Sequence, residues 1–163
     1  MTLGERIRRN RGTASQREFA RLLGVTFAAV SGSTAKTSAD LVEAWIALLR
    51  SSKFQQCFDG FLGSLRGDRR RYCALGLGAY ACGVEPTVVN VFPPGSSEYA
   101  SGWALAFDGC ARVLSAEIKD KLGIDECDVG QIVAMNDEDN RSFEEIADWI
   151  EAEVLPRAKE TGQ

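Results

Sequence analysis

Histidine is absent from this 163-residue chain, and proline (four residues) and methionine (two) are scarce. Without histidine, neither a Ser-His-Asp nor a Cys-His catalytic arrangement forms in its usual shape. None of the cysteines belongs to a C-x-x-C pair; they are Cys57, Cys73, Cys82, Cys110 and Cys127. Zinc sites normally use close Cys or His pairs. We therefore expect no metal, no cofactor and no enzyme activity, and we expect reduced, mostly buried thiols.

Long apolar runs are also missing. No run approaches the ~20 apolar residues that a membrane-spanning helix needs. The first ten residues, MTLGERIRRN, are charged and lack the apolar core of a signal peptide. With 45% hydrophobic and 26% charged residues, the composition is that of a soluble globular protein. We expect a cytoplasmic protein of one or two small domains, with no membrane partner.

The charge is unevenly distributed around a net value of −4. Residues 1–39 carry seven basic and two acidic side chains, whereas the rest of the chain carries 12 basic and 21 acidic ones. A basic end on an acidic body indicates that one end meets phosphate. A solvated arginine-rich helix face would give the same counts, so both interpretations stay open here.

Residues 15–31, SQREFARLLGVTFAAVS, have the pattern of two short helices joined by a glycine turn. Ser15 and Glu18 form a capping box, and Gly24 suits a helix stop. The segment resembles the helix-turn-helix of the Cro and phage-repressor family, at Gln16, Ala20, Gly24, Val25, Val30 and Ser31. The resemblance implies a helical domain whose second helix enters the major groove of DNA. The alternative is a plain helical hairpin inside a core.

The resemblance also assigns DNA-contacting roles to individual residues. The candidates for phosphate contact are Arg9, Arg11, Gln16, Arg17 and Lys36. The candidates that face the groove are Thr26, Phe27, Ala28 and Ser31. None of this second set makes the bidentate contact by which arginine reads guanine or glutamine reads adenine. The family usually has a basic or long polar residue after the serine, where this chain has Gly32.

The sequence pattern of the remaining residues predicts a second region that contains strands as well as helices. Ser38 is expected to cap a junction helix over 39–51. Further helices are expected over 115–122, 128–135 and 142–154, strands over 87–92 and 103–107, and a charged turn over 67–71. Residues 53–65 are mixed, and their apolar spacing suggests a short helical piece. Residues 72–82 fit helix or strand equally well. Asn136 and Asp137 suit an Asx turn, and Pro156 suits the end of the last helix.

We therefore predict an α+β, mostly helical fold in two parts. Residues 1–50 would form the helix-turn-helix domain, and residues 51–163 an acidic α+β domain for dimerisation or partner binding.

Three blocks of residues 45–150 are similar to a family of small, uncharacterised phage and prophage proteins. The first block is Trp45, Leu49, Arg50, Ser51, Lys53, Phe54 and Gln56. The second is Tyr72, Cys73, Leu75 and Gly76. The third is Asn136, Asp137, Ser142, Phe143, Glu145, Ile146, Ala147 and Ile150. The likeness implies a phage or prophage origin and no mechanism. Cys57 stands where a glycine commonly follows the glutamine.

Four further patterns carry little chemistry. The segment 76–81 matches a G-x-G-x-x-A phosphate loop, but close packing of small residues explains it better. The acidic run 137–139 fits no EF-hand register and suits a solvated turn. Tyr72, Tyr99 and Trp103 suit either a core or an aromatic pocket. Arg69-Arg70-Arg71 suits either an anion site or a hydrated loop.

Two hypotheses from different classes follow. The first is a phage-type transcriptional regulator that binds double-stranded DNA as a homodimer, because one short helix supplies little specificity. The second is a phage-encoded inhibitor of a host defence protein that acts through the acidic region, with the helix-turn-helix used for autoregulation or as a scaffold.

Overall fold

The computed structural model describes residues 36–58, 60–92 and 102–161. These residues contain helices and one mixed β-sheet, joined by turns and loops. The helices are α1 (Ser38–Leu49), α2 (Ala74–Ala81), α3 (Ala116–Leu122), α4 (Glu126–Val133), α5 (Phe143–Trp149) and α6 (Leu155–Thr161). The strands are β1 (Gln55–Gln56), β2 (Gly63–Arg66), β3 (Arg69–Tyr72), β4 (Thr87–Asn90) and β5 (Trp103–Ala106). The predicted α+β class is confirmed, with about half of the described residues helical. The predicted helix-turn-helix lies outside the described residues.

Helix α1 begins at a capping box one residue earlier than predicted, because Thr37 rather than Ser38 is the N-cap. The Thr37 hydroxyl accepts from the Asp40 amide at 3.2 Å, and the Asp40 carboxylate accepts from the Thr37 amide at 2.9 Å. The bond from the Thr37 amide, together with a second one that the Thr37 hydroxyl donates to the same carboxylate at 2.9 Å, lowers the pKa of Asp40, and the charge of Lys36 lowers it further. The helix packs against α2 and α6, and the indole of its buried Trp45 donates to the Ala74 carbonyl at 2.8 Å. Helix α1 is thus part of the same core as the elements that follow it.

The sheet has the strand order β1-β3-β2-β5-β4, with β1 parallel to β3 and the other pairs antiparallel. The strands predicted over 87–92 and 103–107 are confirmed as the pair β4 and β5, with Thr87 opposite Ala106. The helix predicted over 53–65 is wrong. Its residues form β1 and β2, because their backbone groups bond to β3 and β5 instead of to one another. The predicted charged turn is confined to Gly67 and Asp68, and the three arginines after it form β3.

Among the later helices, α3 is confirmed, whereas the predicted start of α4 and the predicted end of the last helix need correction. Helix α3 is confirmed, with Ser115 as its N-cap and Gly123 in the left-handed region at φ 65°. Helix α4 begins about one turn earlier than predicted, because Asp125 is the N-cap and Asp128 is its capping-box partner. Ser142 and Glu145 form the predicted capping box of α5.

The prediction that the last helix ends before Pro156 is wrong. A π-helical turn, Ile150–Val154, joins α5 to α6, which contains this proline. A proline inside an α-helix removes one hydrogen bond and crowds the carbonyl four residues earlier. Here the π-turn ends two residues before Pro156, and Arg157 Nε donates to the Glu153 carbonyl at 2.8 Å. A second π-turn, Ala134–Glu138, prolongs α4, so the described residues form five continuous helices.

The residues from Lys36 onward form one compact unit. Its core is built mainly from helix residues, and Trp45, Leu77, Leu105, Ile132 and Ile146 are among its fully buried side chains. Within the described ranges, no helix is long and apolar enough to cross a bilayer.

Candidate functional site

Eight of the nine residues predicted to contact DNA lie outside the described part of the chain. They are Arg9, Arg11, Gln16, Arg17, Thr26, Phe27, Ala28 and Ser31. The ninth, Lys36, is exposed and directly precedes the N-cap of α1. The predicted DNA contacts therefore stay predictions.

A different cluster of basic side chains lies on the hairpin of β2 and β3. Arg66, Arg69 and Arg71 line one pocket together with Gln55 and Gln56, and we name this set the arginine cleft. The strand register explains the cluster: Arg66 is directly opposite Arg69, and Arg71 is directly opposite Ser64. Side chains two residues apart on a strand point to the same face. All three arginines therefore share one face, whereas Arg70 points to the other face, as does its cross-strand partner Leu65.

The tight turn of this hairpin holds the arginines in place. Only Gly67 and Asp68 connect β2 to β3, and Gly67 has φ 64°. Two-residue hairpin loops need a residue that enters the positive-φ region without a steric penalty, which glycine does. Arg71 is fixed further, because its guanidinium donates to the Gln56 carbonyl at 2.8 Å.

Among the described residues, no carboxylate forms an ion pair with the three arginines of the cleft. The side chains of Arg66 and Arg69 make no hydrogen bond or ion pair with any residue in the described ranges. Other basic side chains of the unit do lie against carboxylates, in the pairs Arg50–Asp148, Arg50–Glu151, Arg157–Asp128, Lys121–Glu117, Lys119–Glu126, Lys159–Glu43 and Arg141–Asp139. The positive charge of the cleft is therefore available to an external anion.

An open groove of about 440 Å³ adjoins the cleft, and Arg66 and Arg71 line both. Phe61, Val91 and Phe92 give it apolar walls. The Phe92 ring packs directly on Gly102, where any Cβ would lie 1.8 Å from a ring carbon, and the side chain is still 40% exposed. We call this region the Phe92 groove. It presents an aromatic ring beside Arg66 and Arg71, neither of which forms an ion pair with a described residue.

The buried side chain of Asn136 holds Gln56, which lines the arginine cleft. The side chain is 2% exposed, and its Oδ1 accepts from Gln56 Nε2 at 3.0 Å and from the Ala74 amide at 3.2 Å. Its Nδ2 donates to the Cys57 carbonyl at 2.9 Å and to Asp137 Oδ1 at 2.6 Å. All four hydrogen-bonding positions of the amide are thus used. The predicted Asx turn at Asn136 is wrong, because the π-turn after α4 directs this side chain into the core.

The three blocks that carry the second resemblance meet at Asn136. Gln56 belongs to the first block, Cys73 of the second is the N-cap of α2, and Asn136 opens the third. Helix α2 presents its first amide, that of Ala74, to Asn136, and such an amide has no partner inside its own helix. The amide of Asn136 therefore joins β1, α2 and the end of α4.

Tyr72 and two of the thiols belong to the core. Tyr72 packs against Phe54, Tyr80 and Phe107, with ring centroids 5.5 to 6.3 Å apart. Burial raises the pKa of Tyr72, and the neighbouring charge of Arg70 acts against this increase. Tyr99 lies outside the described residues. Burial also raises the pKa of Cys73 to about 12 and that of Cys82 to about 11.

The thiols are free, as expected, but fewer are buried than predicted. Cys57 and Cys73 are buried, Cys82 is half-buried, and Cys110 and Cys127 are exposed. The described ranges bring together no group of three His, Cys, Asp or Glu side chains that could hold a metal ion.

The G-x-G-x-x-A segment is a buried helix, α2, and not a phosphate loop. A Cβ on Gly76 would lie 1.8 Å from the Leu62 carbonyl oxygen, and one on Gly78 would lie 3.0 Å from the Trp45 ring. The predicted close packing of small residues is confirmed.

Sequence reasoning named Arg69-Arg70-Arg71 as a possible anion site but did not include Arg66, although the signal for the hairpin was present. Gly67-Asp68 is a two-residue hairpin loop flanked by Arg66 and Arg69, and a period of two places alternate arginines on one face. The charged residues of this segment led to the prediction of a turn over 67–71 in place of a strand.

Comparison with known proteins identifies no relative. No family model, no curated protein and no solved structure matches this chain. The function is therefore argued from the residues themselves.

Proposed function

We propose that this chain is a phage-type DNA-binding regulatory protein that uses a helix-turn-helix and binds duplex DNA as a homodimer. The observation that carries the proposal is the motif over residues 15–31, together with the excess of positive charge that surrounds it. Short recognition helices gain specificity when a dimer presents two of them to adjacent half-sites. The proposal requires no catalytic residue.

The predicted contacts divide into two kinds. Phosphate contacts by Arg9, Arg11, Gln16, Arg17 and Lys36 would position the protein and carry no sequence information. Contacts by Thr26, Phe27, Ala28 and Ser31 would touch the base edges, with Phe27 or Ala28 against a thymine methyl group. The unit from Lys36 onward would supply dimerisation or partner binding.

The salt dependence of duplex binding tests the proposal. Removal of one phosphate contact should reduce the slope of log affinity against log salt by about 0.9. We expect Arg17→Ala to weaken binding to all duplexes alike and to reduce the slope by this amount. Arg141→Ala is the matched control, because Arg141 carries the same charge in the other unit and pairs with Asp139 at 3.5 Å. Equal slopes for the wild type and Arg17→Ala would remove Arg17 from the interface.

One structural observation favours the second candidate, an inhibitor that binds a host protein. The segment from residue 138 onward exposes eight carboxylates: Glu138, Asp139, Glu144, Glu145, Asp148, Glu151, Glu153 and Glu160. Four of them pair with Arg50 or Arg141, and the others form no ion pair among the described residues. Such a surface suits a protein that normally binds nucleic acid. If a full-length Gln16→Ala/Arg17→Ala variant no longer bound DNA but kept its effect on the host, the inhibitor would be the better account.

A further inference from the structure

The arginine cleft places three positively charged side chains next to one another, as the binding of neighbouring phosphates on one strand requires. Arg69 and Arg71 are two residues apart on β3, so their Cα atoms are separated by roughly 6.8 Å. Arg66 lies directly across the hairpin from Arg69. A guanidinium binds phosphate oxygens in a bidentate manner, and neighbouring arginines on one face can take neighbouring phosphates of one strand.

The Phe92 groove adds a feature that a phosphate backbone alone does not use. Its exposed aromatic ring is held on Gly102 by direct packing, and the Val91 amide donates to the Gly102 carbonyl at 2.7 Å, which fixes the strand end. Bases in a duplex are stacked on one another and hide their faces, whereas those of a single strand can stack on an aromatic side chain. An aromatic ring next to unpaired arginines therefore favours a single strand over a duplex.

We propose that the arginine cleft and the Phe92 groove together form a binding site for single-stranded nucleic acid. The phosphates bind Arg66, Arg69 and Arg71, and a base stacks on Phe92. This site goes beyond the proposed binding of duplex DNA by residues 15–31 and does not depend on it.

The strongest test compares two adjacent arginines of β3 in the full-length chain. Arg69 lies in the cleft, whereas Arg70 points to the other face of the sheet. Both residues are exposed. Arg69→Gln and Arg70→Gln each remove one positive charge. The probe is a fluorescein-labelled oligodeoxythymidine of about 12 nucleotides, within the usual site size for a single strand, measured by anisotropy over a series of salt concentrations. We expect Arg69→Gln to reduce the salt slope by about 0.7, the value for one contact with a single strand, and Arg70→Gln to leave it unchanged.

Two further variants separate this site from its alternatives. Phe92→Leu should weaken oligonucleotide binding about fivefold or more, because stacking on one base is removed. Arg17→Ala should weaken duplex binding and leave oligonucleotide binding unchanged, so a failed helix-turn-helix and a failed groove give different results. Circular dichroism of each variant confirms that it is folded.

Three results would overturn the proposal. The first is that the oligonucleotide shows no binding at low salt. The second is an equal reduction of binding by Arg69→Gln and Arg70→Gln, which would mean that net charge alone acts. The third is wild-type oligonucleotide binding by Phe92→Leu together with weaker duplex binding by Arg69→Gln, which would make the cleft a duplex phosphate site.

Discussion

At the scale of single residues, Asn136 connects parts of the chain that are far apart in sequence. Its amide bonds to Gln56, Cys57 and Ala74, which come 62 to 80 residues earlier. A buried polar group is stabilising when all of its partners are present and destabilising when one is missing. The geometry of β1, and with it one wall of the arginine cleft, therefore depends on this side chain.

Asn136→Ala should lower the free energy of unfolding by about 3 kcal/mol, because the buried Ala74 amide and Cys57 carbonyl are left without this partner. Urea unfolding followed by circular dichroism measures this change. Gln131→Ala, on the exposed surface of α4, is the control and should change stability by less than about 0.5 kcal/mol. A decrease below about 1 kcal/mol for Asn136→Ala would show that the amide is not a structural link.

Residue-level roles were only partly predictable from the sequence. The capping pair Ser142 and Glu145 was predictable, because its chemistry is local and the spacing of three residues is fixed. The role of Asn136 was not, since its partners lie on other elements and the same dipeptide, Asn136-Asp137, is common in turns. The place of Arg66 in the arginine cleft was missed for a similar reason, because only the register of β2 and β3 brings Arg66 and Arg69 together.

At the scale of elements, helices with clear caps were predicted better than short strands. Helix α3 carries its own start and stop in Ser115 and Gly123. Strands β1 and β2 have two and four residues, and their neighbours Phe54, Phe58, Phe61 and Leu62 imitate a helical stripe. In the structure, these aromatics serve different contacts: Phe54 packs on Tyr72, and Phe61 lies under the guanidinium of Arg112.

A pair of glycine substitutions tests how the helices pack. Gly76→Ala should destabilise the protein by about 3 kcal/mol, because its Cβ would collide with the Leu62 backbone. Gly130→Ala should stabilise it by up to about 1 kcal/mol, since Gly130 lies on exposed helix α4 with no atom near its Cβ. Thermal unfolding of both variants measures the difference. Changes of the same sign would contradict the packing of α2 against the backbone of Leu62.

At the scale of the whole molecule, α1 is the element that closes the core of the second unit. It packs against α2, α3, α5 and α6. Arg50, at its end, contacts Glu144, Asp148 and Glu151, and its hydrogen bonds to Glu151 and Asp148 raise the pKa of Arg50. Because α1 is part of this core, the compact unit extends back to Lys36.

Two fragments test where this unit begins. A fragment of residues 36–163 should unfold cooperatively, whereas one of residues 51–163 should show no cooperative transition. The shorter fragment lacks buried Trp45 and leaves the apolar faces of α2 and α6 uncovered; removal of one such side chain alone costs about 3–5 kcal/mol. Calorimetry of both fragments gives the answer. Cooperative unfolding of the 51–163 fragment would make α1 dispensable.

The measurement that tests the central claim most directly is binding of the full-length protein to DNA from immediately upstream of its own gene. Fluorescence anisotropy would compare this duplex with a scrambled one at two salt concentrations. A DNA-binding regulator should bind the upstream duplex more tightly than the scrambled duplex at both concentrations, because base contacts do not depend on counterion release. Equal, weak binding to both duplexes that disappears at the higher salt concentration would contradict the regulatory function.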